Sequence, residues 1–271
     1  MMSIKRNIYR KIAVNLARSR NSNFVKILSR YCRLIYEFSE NAYNEMPYNG
    51  EAFVLQTLAP YQFKTIFDVG ANVGEWALTA NQYFPKAEIH CFEIFDPTFQ
   101  TLVSRTQSIS NIKVNNVGLG DKNENVKIKA YPNNIGLTSL IDYPHAAESI
   151  VVDGKVIRGD SYLQEHNIDS IGFLKIDVEG LEPKVLSGFS EALDTGKIDV
   201  IQFEYGRACL ITKFILKDFY DFLESKGYVL GKIYPNYVNF KDYELEDENF
   251  IGPNYLAVRK DRQELIQSLS K

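Results

Sequence analysis

The 271-residue chain has little cysteine, histidine or tryptophan: three, three and one residues. Cys32, Cys91 and Cys209 are far apart and odd in number. They form neither a disulfide framework nor a metal-binding spacing, which predicts a reducing, cytoplasmic compartment. No run of 18 apolar residues occurs, so no membrane-spanning helix is expected. The net charge of −3 makes no general case for a nucleic-acid partner. Internal repeats and low-complexity segments are absent. What is present is ordinary for a globular protein, with 45% hydrophobic and 24% charged residues. Wholesale disorder, collagen and coiled coil are thereby excluded.

Acidic residues are also missing from the first 36 positions, which hold nine lysines and arginines, leaving −12 on the remainder. Apolar residues recur at helical spacing, as Ile4, Ile8, Ile12 and Leu16, then Phe24, Ile27, Leu28, Tyr31, Leu34, Ile35 and Phe38. Asn21-Ser22-Asn23 separates the two runs and caps the second. Residues 1–60 therefore form a basic helical extension, and residues 61–271 a separate domain. Three readings of the extension compete. Its helices pack on the domain or a second subunit; residues 1–45 touch an anionic membrane peripherally; or the segment is a transit peptide.

From Thr65 onward strands alternate with helices. Core strands are expected at 65–70, 87–92, 112–117, 171–176, 199–203, 228–233 and 255–259. Helices are expected at 75–84, 97–107, 161–166, 183–193 and 214–226. Val126–Tyr131 reads as an added strand, and Val151–Ile157 as a hairpin turning at Asp153-Gly154. This rhythm implies βαβ units, a mainly parallel sheet and helices on both faces.

The first strand enters its helix through Asp68-Val69-Gly70-Ala71-Asn72-Val73-Gly74. Its glycines allow close backbone approach to a ligand at the carboxyl end of the sheet. The pattern is Gly-x-Asn-x-Gly, preceded by an acid, not the dinucleotide Gly-x-Gly-x-x-Gly. A carboxylate at Asp68 repels a pyrophosphate but suits an ammonium group, which favours S-adenosylmethionine over NAD. Glu93 ends the second strand, where a carboxylate accepts from ribose hydroxyls. Val117 and Gly118 then line the adenine slot. Trp76 is a core residue whose backbone N–H meets the cofactor carboxylate.

These residues resemble the FkbM-type S-adenosylmethionine-dependent methyltransferases. The resemblance rests on Phe67–Gly74, Phe92-Glu93, Val117–Asp121, Asn254–Val258 and above all Leu174-Lys175-Ile176-Asp177-Val178-Glu179-Gly180, continued by Glu182, Val185-Leu186 and Gly188. It spans residues 65–259 and implies a Rossmann-like class I methyltransferase sheet with an antiparallel last strand. Residues 1–60 fall outside it. The family's pair of small or hydroxyl residues before a leucine stands as Thr138-Ser139-Leu140. Its acidic pair is reduced to Gly159-Asp160-Ser161, so no role passes to Asp160.

The resemblance implies methyl transfer to an oxygen, of a sugar or of a polyketide or other small molecule. Alternation puts Lys175 and Asp177 on one side of the fourth strand. Glu204 ends the next strand, and Glu179 stands nearby. These four are the catalytic candidates. A carboxylate acts as general base, or Asp177 and Glu204 hold a divalent metal, the less favoured option. Glu179 and Glu182 also stand where a helix start favours negative charge. His90 reads as a core histidine, and His145 as a weak candidate base. Residues 131–157 read as the acceptor lid, with Tyr205, Arg207, Tyr234 and Tyr237 adding surface suited to a sugar. The carbohydrate reading includes surface polysaccharide and glycolipid acceptors. A non-catalytic cofactor-binding protein is the alternative from another class.

Overall fold

The computed structural model describes residues 2–130, 150–251 and 254–270. Its strands are β1 (Thr65–Val69), β2 (Glu88–Phe92), β3 (Ile112–Asn115), β4 (Gly118–Gly120), β5 (Glu124–Ala130), β6 (Ile150–Arg158), β7 (Ile171–Ile176), β8 (Ile198–Glu204), β9 (Tyr228–Tyr234), β10 (Tyr237–Phe240) and β11 (Asn254–Arg259). Its helices are α1 (Met2–Arg18), α2 (Asn23–Ser39), α3 (Met46–Asn49), α4 (Glu51–Leu58), α5 (Glu75–Tyr83), α6 (Asp96–Thr106), α7 (Gly159–Glu165), α8 (Glu182–Gly188), α9 (Ser190–Asp194), α10 (Cys209–Thr212), α11 (Leu216–Ser225) and α12 (Gln263–Leu269).

Eight strands form one sheet in the order β10-β9-β11-β8-β7-β1-β2-β3. β3, β2, β1, β7 and β8 run parallel, and β11 runs antiparallel to both β8 and β9. This is the Rossmann-like sheet with an antiparallel last strand that the sequence predicts. Alternation sends Phe67, Leu174 and Ile201 into one core and Ile66, Phe173 and Val200 into the other. A parallel sheet is stable only with both faces covered, and here both are.

The second core includes Val54, Leu55 and Leu58 of α4, none of which has exposed surface. The sequence groups these residues with the basic extension. A boundary at residue 60 would divide α4 from the core it fills. No helix among the described residues is long and apolar enough to cross a membrane.

The expected hairpin at Val151–Ile157 is one unbroken strand, β6, antiparallel to β5 and parallel to β4 in a second, three-stranded sheet. A two-residue Asp-Gly turn needs positive φ at both residues, and neither Asp153 nor Gly154 has it. Gly154 provides space instead: a Cβ there would come within 2.9 Å of the Ile94 side chain. The expected helix 183–193 breaks into α8 and α9 at Gly188, where a Cβ would meet the Gly120 carbonyl oxygen at 2.0 Å. Residues 131–149, which hold most of the expected lid, Thr138-Ser139-Leu140 and His145, lie outside the described residues.

Candidate functional site

β1 leaves the sheet through Gly70, Asn72 and Gly74, at φ of 80°, 48° and 84°. Asparagine tolerates this left-handed region better than most side chains. At Gly70 no side chain fits, because a Cβ would lie 1.8 Å from the Asp177 carbonyl oxygen. The loop is tied to β2: Gly70 N and Ala71 N both donate to the Phe92 carbonyl at 3.0 Å. Asn72 N donates to Glu93 Oε2 at 3.0 Å, and Phe95 N donates to Oε1 at 2.8 Å. Each Glu93 oxygen keeps a second lone pair, so the carboxylate can still accept hydroxyl protons. Burial raises its pKa, against the backbone donors that lower it. Asn116 Nδ2 donates to the Glu93 carbonyl at 3.0 Å, and Gly118 abuts the Ile94 side chain. Val117 and Gly118 therefore stand beside the Glu93 strand end; none of the three lines either of the two hollows described below, and Glu93 reaches the cleft only through its bond to Asn72 N.

One residue back from the strand ends runs a buried polar row. Register places Asp68 opposite Lys175, and Lys175 opposite Gln202. Lys175 Nζ donates to Asp68 Oδ1 at 3.2 Å and lies 3.3 Å from Asp177 Oδ2. Burial disfavours its charge, but Asp68, Asp177 and Glu51 outweigh burial and hold its pKa above the ordinary value. Lys175 is thus a fixed cation and not a base. The sequence pairs Asp68 with a ligand ammonium; here the chain's own Lys175 meets Oδ1, and buried Oδ2 alone has no partner among the described residues.

Glu51, at the start of α4, covers this row. Its Oε1 accepts from Gln202 Nε2 at 2.6 Å and its Oε2 from Asn49 Nδ2 at 2.7 Å. Burial raises its pKa, and Lys175 opposes that shift. Sequence reasoning missed Glu51 because nothing local marks it: it is a glutamate in a helix's first turn, outside every motif.

Glu51, Lys175, Asp177, Trp76 and the glycine loop line a cleft of about 490 Å³, rimmed by Asn44–Pro47. That size lies within the range of small-molecule sites. Trp76 belongs to the core, as predicted, yet it also lines the cleft, and its buried indole N–H has no partner among the described residues.

A second hollow of about 160 Å³ opens at the ends of β7 and β8, lined by Glu179, Glu182, Glu204 and Arg207 among others. Oxygens of Asp177, Glu179 and Glu204 lie within 4.8 Å of one another. The structure therefore brings three of the four catalytic candidates together and puts the fourth, Lys175, against Asp177. Glu204 is pushed well above the usual carboxylate range by burial, then by the charges of Asp177, Glu179 and Glu182. Glu182 Oε1 accepts from Val178 N and Gly180 N at 3.0 and 3.1 Å. Its Oε2 is buried without a partner among the described residues, and burial pushes its pKa up to about 7. Three carboxylates at this spacing are also suitable donors for a hard divalent cation.

Other expectations resolve as structure. His90 is a buried core residue, within 2.8 Å of both the Tyr162 hydroxyl and Glu88. Tyr205 is not acceptor surface: it is fully buried and donates to Glu248 Oε2 at 2.7 Å. Asp160, which received no role, accepts from Glu191 N and Ala192 N, both at 3.0 Å, at the start of α9.

The residues present fit S-adenosylmethionine on three counts. Glu93 has open acceptor capacity for ribose hydroxyls. The unpaired Trp76 indole N–H is a donor for a carboxylate. The acidic wall of Glu51 and Asp177 suits a cationic amino-acid end.

The model of the FkbM methyltransferase domain matches residues 68–230. A curated relative, Methyltransferase 1 of Beauveria bassiana (strain ARSEF 2860), is 24% identical over 173 residues, covering 57% of this chain and 65% of the relative. The 31-O-demethyl-FK506 methyltransferase FkbM of Streptomyces tacrolimicus is 28% identical over 159 residues, covering 47% and 60%. The chain thus spans less than two thirds of the curated relatives it matches. Among solved structures, an FkbM methyltransferase from Methylobacillus flagellatus KT is similar at 18% identity and a TM-score of 0.45, over 72% of this chain and 43% of that one. With the domain match covering more than half of its length, the chain belongs to the FkbM methyltransferase family.

Proposed function

We propose that the chain transfers a methyl group from S-adenosylmethionine to a carbohydrate hydroxyl, on a surface polysaccharide or a glycolipid. One observation carries this reading: two carboxylates, Asp177 and Glu204, with oxygens within 4.8 Å of each other, stand at adjoining strand ends beside the cleft. When bound, S-adenosylmethionine supplies a methyl group already activated by its sulfonium sulfur. The chain then has to hold the donor, align the acceptor and remove one proton. Glu93 would take the ribose hydroxyls, Trp76 the carboxylate, and the wall of Glu51 and Asp177 the ammonium. Glu204 would accept the proton that the acceptor hydroxyl loses. Asp177 has an oxygen within 4.8 Å of one of Glu204, and Lys175 fixes Asp177 in place. The surroundings of Glu204, with Glu179, Glu182 and Arg207, are polar and suit a hydroxyl-rich acceptor.

A second reading sends the methyl group to a polyketide-type hydroxyl. It draws support from the relative whose name specifies an FK506 precursor. Calorimetric titration with S-adenosylmethionine and S-adenosylhomocysteine tests the shared core of both. Wild type should bind both, and Glu93→Ala should weaken binding at least about tenfold, roughly 1.4 kcal/mol. Folded wild type that binds neither overturns both readings. Labelled-methyl transfer to glycans and to macrolides then separates them.

A further inference from the structure

Helices α1 and α2 carry an apolar surface that the fold does not cover. On α2, Phe24, Ile27, Leu28, Tyr31, Ile35 and Phe38 recur at helical spacing, and all are between 41% and 72% exposed. Lys26, Arg30 and Arg33 fall on the opposite side of the same helix, at spacings of four and three. α1 adds Ile8 and Ile12, 53% and 50% exposed. Soluble chains rarely leave apolar stripes of this extent without a partner.

The geometry points to an anionic lipid bilayer as that partner, with α1 and α2 lying in its surface. Charge decides between a bilayer and a second copy. The first 36 residues hold nine cations and no carboxylate. A two-fold contact through the apolar stripes would turn the cations of α2 away from the partner and leave their excess, offset on that helix only by Glu37, without acidic partners. A bilayer of acidic headgroups meets both features at once: its acyl boundary takes the apolar stripe and its headgroups take the lysines and arginines. The aromatic residues on α2 suit the interfacial zone, where amphipathic rings are favoured.

The attachment point gives this surface a consequence for the cleft. Just past α2, Asn41 Nδ2 donates to the Asn49 and Ile233 carbonyls at 2.8 and 2.9 Å, and Glu40 pairs with Lys232 at 2.8 Å. The next residues, Asn44–Pro47, form the rim of the cleft. A bilayer-seated α2 would therefore place the cleft near the membrane surface, within reach of a lipid-linked acceptor. That consequence rests on the methyltransferase reading; the binding itself does not.

The test is co-sedimentation of the full chain with phosphatidylcholine vesicles, with and without about 30% phosphatidylglycerol, in the absence of any methyl donor. Binding should be at least about tenfold stronger on the anionic vesicles and should fall as salt rises above about 0.1 M. The exposed triple variant Ile27→Glu, Tyr31→Glu, Ile35→Glu should lose binding to both vesicle types. Arg30→Gln with Arg33→Gln should lose mainly the anionic preference. Circular dichroism and S-adenosylmethionine titration confirm that both variants remain folded. Equal or absent sedimentation of wild type on the two vesicle types overturns the proposal. So does a wild-type dimer, seen by sedimentation equilibrium, that the triple variant dissociates while vesicles bind neither form.

Discussion

Glu204 combines burial with negative neighbours, and both act in one direction. Burial penalises its ionised form, and the charges of Asp177, Glu179 and Glu182 repel that form further. A general base works only when ionised, so kcat/KM should fall as pH drops through the raised Glu204 pKa. Asp177→Asn removes one of the charges that raise it. The acid limb of the pH profile should then move to lower pH, whatever happens to the maximal rate. A limb that stays in place would assign it to another group. Glu182 makes a separate prediction for stability. Its folded pKa of about 7 lies above the ordinary 4.5. Stability from this group is therefore complete below about pH 4.5 and is lost as pH rises to 7, by a few kcal/mol at most. Glu182→Gln removes the ionisation and keeps an acceptor oxygen for Val178 N and Gly180 N. The Tm of wild type minus that of the variant should decrease between pH 5 and pH 8; a constant difference rejects the assignment. The Asp177–Glu204 pairing was legible in the sequence, because the two acids stand at the ends of consecutive core strands. The polar row beneath them was only half legible. Lys175 and Asp68 lie 107 positions apart, and only sheet register makes them neighbours.

At the scale of elements, periodicity placed most core strands to within a residue or two, since continuous apolar runs ending in glycine or an acid are strong signals. It failed where a local signal has two physical meanings. Asp153-Gly154 has the composition of a tight turn, but here the glycine admits Ile94 against an unbroken strand. The four-residue β10 is too short to show periodicity, and α4 looks like one more helix of the extension until its burial is seen. Asp160 has a structural role that its shortened motif does not announce: the acid caps α9 and meets Arg158 Nη2 at 3.0 Å. Asp160→Ala should cost about 2 kcal/mol and lower the Tm by several degrees. S-adenosylmethionine affinity should stay within about twofold, because the residue touches neither hollow. Asp160→Asn should recover part of the loss. An affinity change as large as the Tm change would place Asp160 at the site after all.

Across the whole molecule, the N-terminal segment does two jobs on either side of a narrow boundary. Up to Tyr36 it is basic and largely exposed. From Glu40 it is clamped to β9 through Lys232 and Asn41, then forms the cleft rim and, through Glu51 and α4, part of the core. Two truncations a few residues apart should therefore behave differently. Removing residues 2–36 takes away nine cations and moves the net charge from −3 to −12. It costs only the small burial of Val25 and Leu34, roughly 1–3 kcal/mol, and S-adenosylmethionine affinity should stay within about twofold. Removing residues 2–45 also deletes the Asn41 clamp and the first rim residues, and leaves Lys232, only 8% exposed along its side chain, without Glu40. An unpaired buried cation alone costs several kcal/mol, so the longer truncation should show a much lower Tm and weaker cofactor binding. Thermal melts and calorimetry on the two truncations decide the matter. Equal behaviour would mean that the rim and clamp contribute nothing to the cleft, and that the boundary lies beyond residue 45.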